Sequence, residues 1–262
     1  MSRFLFLFLA VFAIQHVKAD PQVEQLTWEG THYWIYRFDP ETEEMQMHLP
    51  SKKKEPNKFT EVEARVKSSG KKLKFATNAG LYEPFFIPSG LTIAEGKTHV
   101  RLNKRSHKKQ TPDELTPNFY LMPNGVFFLS AEGKGGILET ELYAKTKFTK
   151  AESPWLASQS GPLLLDKGKI HPAFNLDSKS RRHRNGVGIT ADGKLIFACS
   201  VQDRVLGLTN FYKFTTLFRD RLGCESALYF DGDISYVYIE GSTPPIRDRN
   251  WFAGILTITE KQ

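Results

Sequence analysis

The chain is short of the residues that usually announce a chemistry. It has two cysteines in 262 residues, which excludes a densely cross-linked scaffold. Neither has a histidine at ligand spacing, so there is no zinc signature. The seven histidines are scattered, unlike the clustered His and Asp sets that hold catalytic metals. Neither a metal nor any other cofactor is expected. No Pro/Ser-rich linker, low-complexity tract or internal repeat divides the chain, and no stretch beyond the first residues is long and apolar enough for a transmembrane helix.

The one sustained apolar run is at the front. Arg3 precedes Phe4 to Ile14, eleven apolar residues, and Val17-Lys18-Ala19 puts small residues at −3 and −1. This pattern predicts a secretory signal peptide over residues 1–19, cleaved before Asp20. The run falls short of the roughly 20 residues that span a bilayer, so stable membrane insertion is not expected. With no cysteine in the leader, a lipid anchor is not expected. What remains is 243 residues, expected to form one domain over 20–262 in the periplasm or outside the cell. An oxidising compartment permits a disulfide between Cys199 and Cys224, and their apolar surroundings equally suit two small buried residues. Losing Arg3 and Lys18 takes the formal net charge from +7 to +5. That mild excess suits an anionic substrate or envelope polymer and is too weak to argue for nucleic acid.

Periodicity predicts more strands than helices. Strands are expected at Thr31–Phe38, Leu73–Asn78, Phe119–Met122, Val126–Leu129, Leu163–Leu165, Gly186–Thr190, Leu195–Ser200, Ala227–Phe230, Tyr236–Ile239 and Ile255–Ile258. Pro123-Asn124-Gly125 and Ala191-Asp192-Gly193 read as tight turns. One helix is expected over Thr60–Gly70, with Thr60 and Glu63 as a capping box and Val62 and Val66 on one face. A second runs from Asn210 to Leu222, capped by Asn210, faced by Phe211, Phe214, Phe218 and Leu222, and stopped by Gly223. The class is α+β (mixed α/β), with a mixed β-sheet core and packed helices.

Polar residues break this pattern at strand ends, where α/β sheets commonly form ligand crevices. Asn78-Ala79-Gly80 follows a strand, and Gln159-Ser160-Gly161-Pro162 precedes one. Arg181-Arg182-His183-Arg184-Asn185 leads into Gly186-Val187-Gly188. Its three arginines suit a phosphate clamp or a solvated basic loop, because the guanidinium fork binds two oxygens at once. Asp231-Gly232-Asp233-Ile234-Ser235 puts a carboxylate at the tip of a buried strand. Lys97 to Lys109 has six cations and no acid, in a long segment read as irregular to about Pro117, and suits a solvated loop or a guide for an anionic substrate.

Taken in order, these stretches resemble the phosphodiester glycosidase family. The likeness runs from about Leu73 to Tyr238. It rests on Asn78-Ala79-Gly80, Ser89-Gly90-Leu91, Asn118-Phe119-Tyr120, Pro123-Asn124-Gly125, Gln159-Ser160-Gly161-Pro162, Arg184-Asn185-Gly186-Val187-Gly188 and Ala227 through Ser235. The resemblance implies hydrolysis of a sugar-1-phosphodiester at the anomeric C–O bond, with an anionic glycan or sugar phosphodiester as partner. It places Asn78, Gly80, Ser160, Gly161, Arg184, Asp231, Gly232 and Ser235 at the site. Within that set the chemistry puts Asp231 and Arg184 in catalysis, and Gln159, whose amide suits sugar hydroxyls or phosphate oxygens, is added to the residues that hold the substrate. Glu83 and Asp233 are the candidates for a second acid. Asp233 stands where relatives often carry glycine, and Glu83 matches no family acid.

The chemistry is consistent with a single strong carboxylate. Glycosidases with alkoxide leaving groups need a second carboxyl group as acid. A phosphate monoester leaves already charged and needs neutralisation more than a proton, a task for arginine. Two rival readings are a non-catalytic glycan-binding protein on the same fold and a phosphodiesterase that cuts P–O.

Overall fold

The computed structural model describes residues 21–52, 55–111 and 113–262. The signal-peptide reading falls on residues outside these. Among the described residues no helix is long and apolar enough to cross a membrane.

The architecture is α+β. Strands Val23–Trp28, Thr31–Phe38, Leu195–Ser200, Asn185–Thr190, Cys224–Asp231, Leu163–Asp166 and Lys169–Ile170 form a seven-stranded sheet in that spatial order. A five-stranded sheet orders Gly135–Glu139, Gly125–Ser130, Pro154–Ser160, Thr92–Ala94 and Lys97–Val100, and a four-stranded sheet orders Val237–Ile239, Leu73–Asn78, Ile255–Glu260 and Glu43–His48. All the ladders between these strands are antiparallel.

The three sheets share one core. Phe127 and Leu156 from the five-stranded sheet meet Phe75 and Leu256 from the four-stranded sheet and Phe197, Leu228 and Phe230 from the seven-stranded sheet. The opposite face of the seven-stranded sheet is covered by the helix Phe211–Thr216 and the π-helical turn Leu217–Arg221 that continues it. Alternation along Cys224–Asp231 therefore sends Leu228 and Phe230 to one core and Ala227 and Tyr229 to the other. Asn210 caps this helix as expected, accepting from Lys213 N at 2.9 Å. Phe214 and Phe218 are fully buried beneath it, each worth about 1.5–3 kcal/mol in transfer terms. Gly188 makes room for them, since a Cβ there would stand 2.6 Å from the Phe218 ring.

Three expectations need correction. Thr60 does not build a capping box. The first helix is Phe59–Ser68, with Lys58 at its N-cap and no side-chain cap. Thr60 turns to the carboxylate of Asp248, which takes both its N–H and its hydroxyl. Val62 and Val66 face the core as expected. Phe119–Met122 is no strand, because Asn118–Tyr120 forms a 3-10 turn after Pro117. The strand Gly125–Ser130 pairs instead with Gly135–Glu139. The segment before Pro117 is less irregular than expected, holding Tyr82–Glu83, Ile87–Pro88, Thr92–Ala94 and Lys97–Val100. Cys199 and Cys224 are both free and buried.

Candidate active site

The strands Leu73–Asn78, Asn185–Thr190 and Cys224–Asp231 belong to two different sheets, and their polar ends meet. Asn185 sits opposite Asp231 in the ladder register. Its Nδ2 crosses between sheets to Thr77 Oγ1 (2.9 Å), Asn78 O (3.0 Å) and Asn78 Oδ1 (3.1 Å). Tyr236 N also donates to Asn78 Oδ1 at 2.9 Å. A backbone N–H can only donate, so this bond fixes which end of the Asn78 amide is oxygen. The Nδ2 end then donates to Asp231 Oδ2 at 2.8 Å, and Gly232 N donates to Oδ1 at 2.7 Å.

The turn after Asp231 is held tightly. Ser235 Oγ donates to Asp231 O at 3.0 Å, and Ser235 N donates to Gly232 O at 2.7 Å. Gly232 is required by space, because a Cβ would stand 2.6 Å from the Tyr229 hydroxyl. Despite two donors, burial pushes the Asp231 carboxyl up from 3.8 to about 7, with nearby Asp233 adding to the rise. Removing the carboxylate from water outweighs the two hydrogen bonds that favour it.

Asp231 and Arg184 line the same cavity of about 290 Å³, with Tyr229, Phe211 and Gly232. Arg184 is 2% exposed. Its Nε donates to Thr209 O (3.1 Å) and its Nη2 to Ser180 O (3.3 Å), and its guanidinium lies 3.6 Å over the Phe211 ring. Burial pulls its pKa below the usual guanidinium value, though an arginine remains charged. No described carboxylate, Asp231 included, comes within 4 Å of it. A buried cation without a counter-ion is costly, and here it borders a cavity.

The remaining expected positions divide. Gln159 lies away from this cavity, and all its hydrogen-bonding capacity is used internally. Its Oε1 accepts from Leu91 N (2.9 Å) and Asn103 N (2.8 Å), and its Nε2 donates to Asn103 O (2.7 Å) and Thr140 Oγ1 (3.1 Å). In this structure the Gln159 side chain braces the segments that carry Leu91, Asn103 and Thr140. Ser160 is fully buried and donates to Phe230 O at 3.3 Å, bracing the strand that carries Asp231. Gly161 packs where a Cβ would meet Asn124 at 2.7 Å, and Gly80 takes φ 88° beside Ser158. Glu83 does not border the Asp231 cavity and lines instead an aromatic cavity of about 590 Å³ with Phe85, Phe86 and Trp251. Asp233 does border the Asp231 cavity, where it pairs with Arg182 at 3.0 Å. The basic stretch Lys97–Lys109 lines neither the Asp231 cavity nor its neighbours, and Lys104 pairs with Glu141.

Sequence reasoning passed over Asn185, Phe211 and Tyr229 as site residues. Asn185 stood next to Arg184 in a polar run ahead of a strand, which was the available signal. The two aromatics read only as core. Among the described residues no three of His, Cys, Asp and Glu gather as a metal-binding group.

A carboxyl pushed up to about 7 by burial and an arginine with no carboxylate partner thus line one cavity. The chain belongs to the phosphodiester glycosidase family, whose model matches residues 71–250. The uncharacterised protein YigE of Escherichia coli (strain K12) is 32% identical over 211 residues, covering 80% of this chain and 75% of that protein. Among solved structures, the catalytic domain of zebrafish N-acetylglucosamine-1-phosphodiester alpha-N-acetylglucosaminidase, auto-inhibited by its pro-peptide, superimposes with a TM-score of 0.58 at 15% identity. The match covers 91% of this chain and 82% of that one. A hypothetical protein from Synechocystis matches with a TM-score of 0.53 at 13% identity, covering 91% and 61%. At such identities the two structures speak to the fold, which is shared.

Proposed function

We propose that this protein is an exported hydrolase that cleaves the anomeric C–O bond of a sugar-1-phosphodiester, releasing a sugar and a phosphate monoester. The observation that carries the reading is Arg184, a buried guanidinium with no carboxylate partner, bordering the cavity that also holds Asp231. Arg184 binds the phosphate and neutralises charge that builds as the C–O bond breaks, in a site where burial strengthens the interaction. Phosphate leaves as an anion, so no dedicated acid is needed. Ionised Asp231 takes the proton of the attacking water or stabilises the oxocarbenium-like centre. Its pKa of about 7 matches base work at neutral pH. Asn78 and Gly232 N hold its oxygens in one orientation. Asn185 and Ser235 act as positioning residues through Asn78 and the Asp231 backbone. Asp233 is the remaining candidate for a second acid.

The test is hydrolysis of a sugar-1-phosphodiester in oxygen-18 water, with the sugar trapped by rapid reduction. Label on the anomeric oxygen is the expected result. Label in the phosphate would replace this reading with the phosphodiesterase.

A further inference from the structure

The arginine run that looks like one phosphate clamp in sequence is split in two by the fold. Arg184 points into the Asp231 cavity, whereas Arg181, Arg182 and His183 line a neighbouring cavity of about 650 Å³. Arg204, from the loop after Leu195–Ser200, and Arg249, from near the C-terminal strand, complete that second cavity. Arg182 and Asp233 border both, so the two cavities are continuous along one wall.

Four arginines and one carboxylate line the second cavity. Asp233 is already paired with Arg182 at 3.0 Å. The nearby Asp203 spends its Oδ1 on the backbone N–H groups of Val205 and Leu206, at 2.7 Å each. Arg181 is held by a bond from Nη2 to Leu208 O at 2.9 Å. Arg204 and Arg249 have no ion-pair or hydrogen-bond partner among the described residues. Like charges gathered from three separate segments repel one another, and no bond of the fold uses these two. The floor is firm, because Gln202 Nε2 donates to Ser235 O at 2.6 Å, tying the cavity to the Asp231 turn. Its volume falls in the range of about 300–1,000 Å³ usual for small-molecule sites.

We infer that this cavity is a second anion subsite, which holds a further phosphate on the leaving-group side of the substrate. The substrate class is then a glycan carrying more than one phosphate, as in sugars joined in series through phosphodiesters, and not an isolated diester of a neutral alcohol. The inference rests on reading the Asp231 cavity as the sugar-phosphodiester site.

A calorimetric titration of the intact protein at fixed ionic strength separates the two. The probes are orthophosphate and inorganic tripolyphosphate. Arg204→Gln with Arg249→Gln should weaken tripolyphosphate at least about tenfold, since a charge-assisted bond is worth roughly that per guanidinium, and leave orthophosphate within about twofold. Lys145→Gln with Lys150→Gln removes equal charge outside the cavity and should change neither. An unaltered tripolyphosphate affinity in the arginine variant, or an equal loss in the lysine variant, overturns the subsite. In kinetics, a diester whose alcohol bears a phosphate should show the lower KM in the wild type, and the gap should close in the arginine variant. A binding difference without hydrolysis of either diester would sink the catalytic reading and leave the subsite standing. Hydrolysis with no difference in KM would sink the subsite alone.

Discussion

Two buried polar clusters, one around Gln159 and one around Asp231, differ in one respect. Around Gln159 every hydrogen-bonding position is used, with two bonds accepted and two donated, all inside the protein. Around Asp231 the carboxylate accepts two bonds and has room for more, and a cavity lies on its open side. Both clusters fall in stretches that carry the family resemblance. Buried polarity whose valences are exhausted holds the fold together. Buried polarity left open to a cavity is available for chemistry.

The comparison breaks first at Asp231. Asp231→Asn should lower turnover by about 10²–10⁴-fold or more while the protein stays folded, and turnover near that of the wild type would remove Asp231 from catalysis. The same variant tests the pKa. Because the folded-state value of about 7 exceeds the unfolded 3.8, the native protein holds this proton more tightly. The contribution of this group to stability should therefore be greatest below about pH 4, fall as pH rises towards 7, and level off above. The total loss approaches about 4 kcal/mol at roughly 1.36 kcal/mol per unit. Melting curves from pH 5 to 8 should slope downward in the wild type and flatten in Asp231→Asn.

Gln159→Leu should do the opposite. It leaves Leu91 N, Asn103 N and Asn103 O buried without partners, at about 1–3 kcal/mol each before relaxation. Urea unfolding should show a loss of several kcal/mol, with kcat of the folded fraction nearly unchanged. A large fall in kcat at preserved stability would give Gln159 back its place at the substrate.

Asn185→Ala sits between the two. It removes the donor that steadies Asn78, and with it part of the support for ionised Asp231. A loss of about tenfold in kcat is expected, together with an upward shift of the acid limb of the pH profile. Loss of stability with an unmoved limb would make Asn185 structural only. The smallest effect is expected at the cysteines. Both are buried and free, and burial pushes each thiol up to about 12. Reductant should leave the melting temperature unchanged, and thiol titration of the denatured protein should find two.

Much of this was legible in advance. Val62 and Val66, the Asn210 cap, the Phe214 and Phe218 face and the doubly buried strand before Asp231 were all written in local periodicity, because a helix stripe or a strand face must repeat to be buried. Thr60 misled because its partner, Asp248, lies 188 positions away, and no local pattern encodes a competitor at that distance. Phe119 misled because an aromatic plug between prolines has the same composition as a short strand.

The sequence by itself determined which residues are apolar, where the chain turns, and that Asn78, Arg184 and Asp231 stand at the ends of buried segments. Tertiary structure decided everything that depends on which ends meet. It brought Asn78 from one sheet to Asp231 in another through Asn185, raised a carboxyl to near neutrality by burial, and turned Gln159 inward. It also divided four clustered basic residues between two cavities. The physical reason is that hydrogen bonding, desolvation and charge repulsion act over a few ångströms of space, and these ångströms are set by how sheets pack, which sequence separation does not measure.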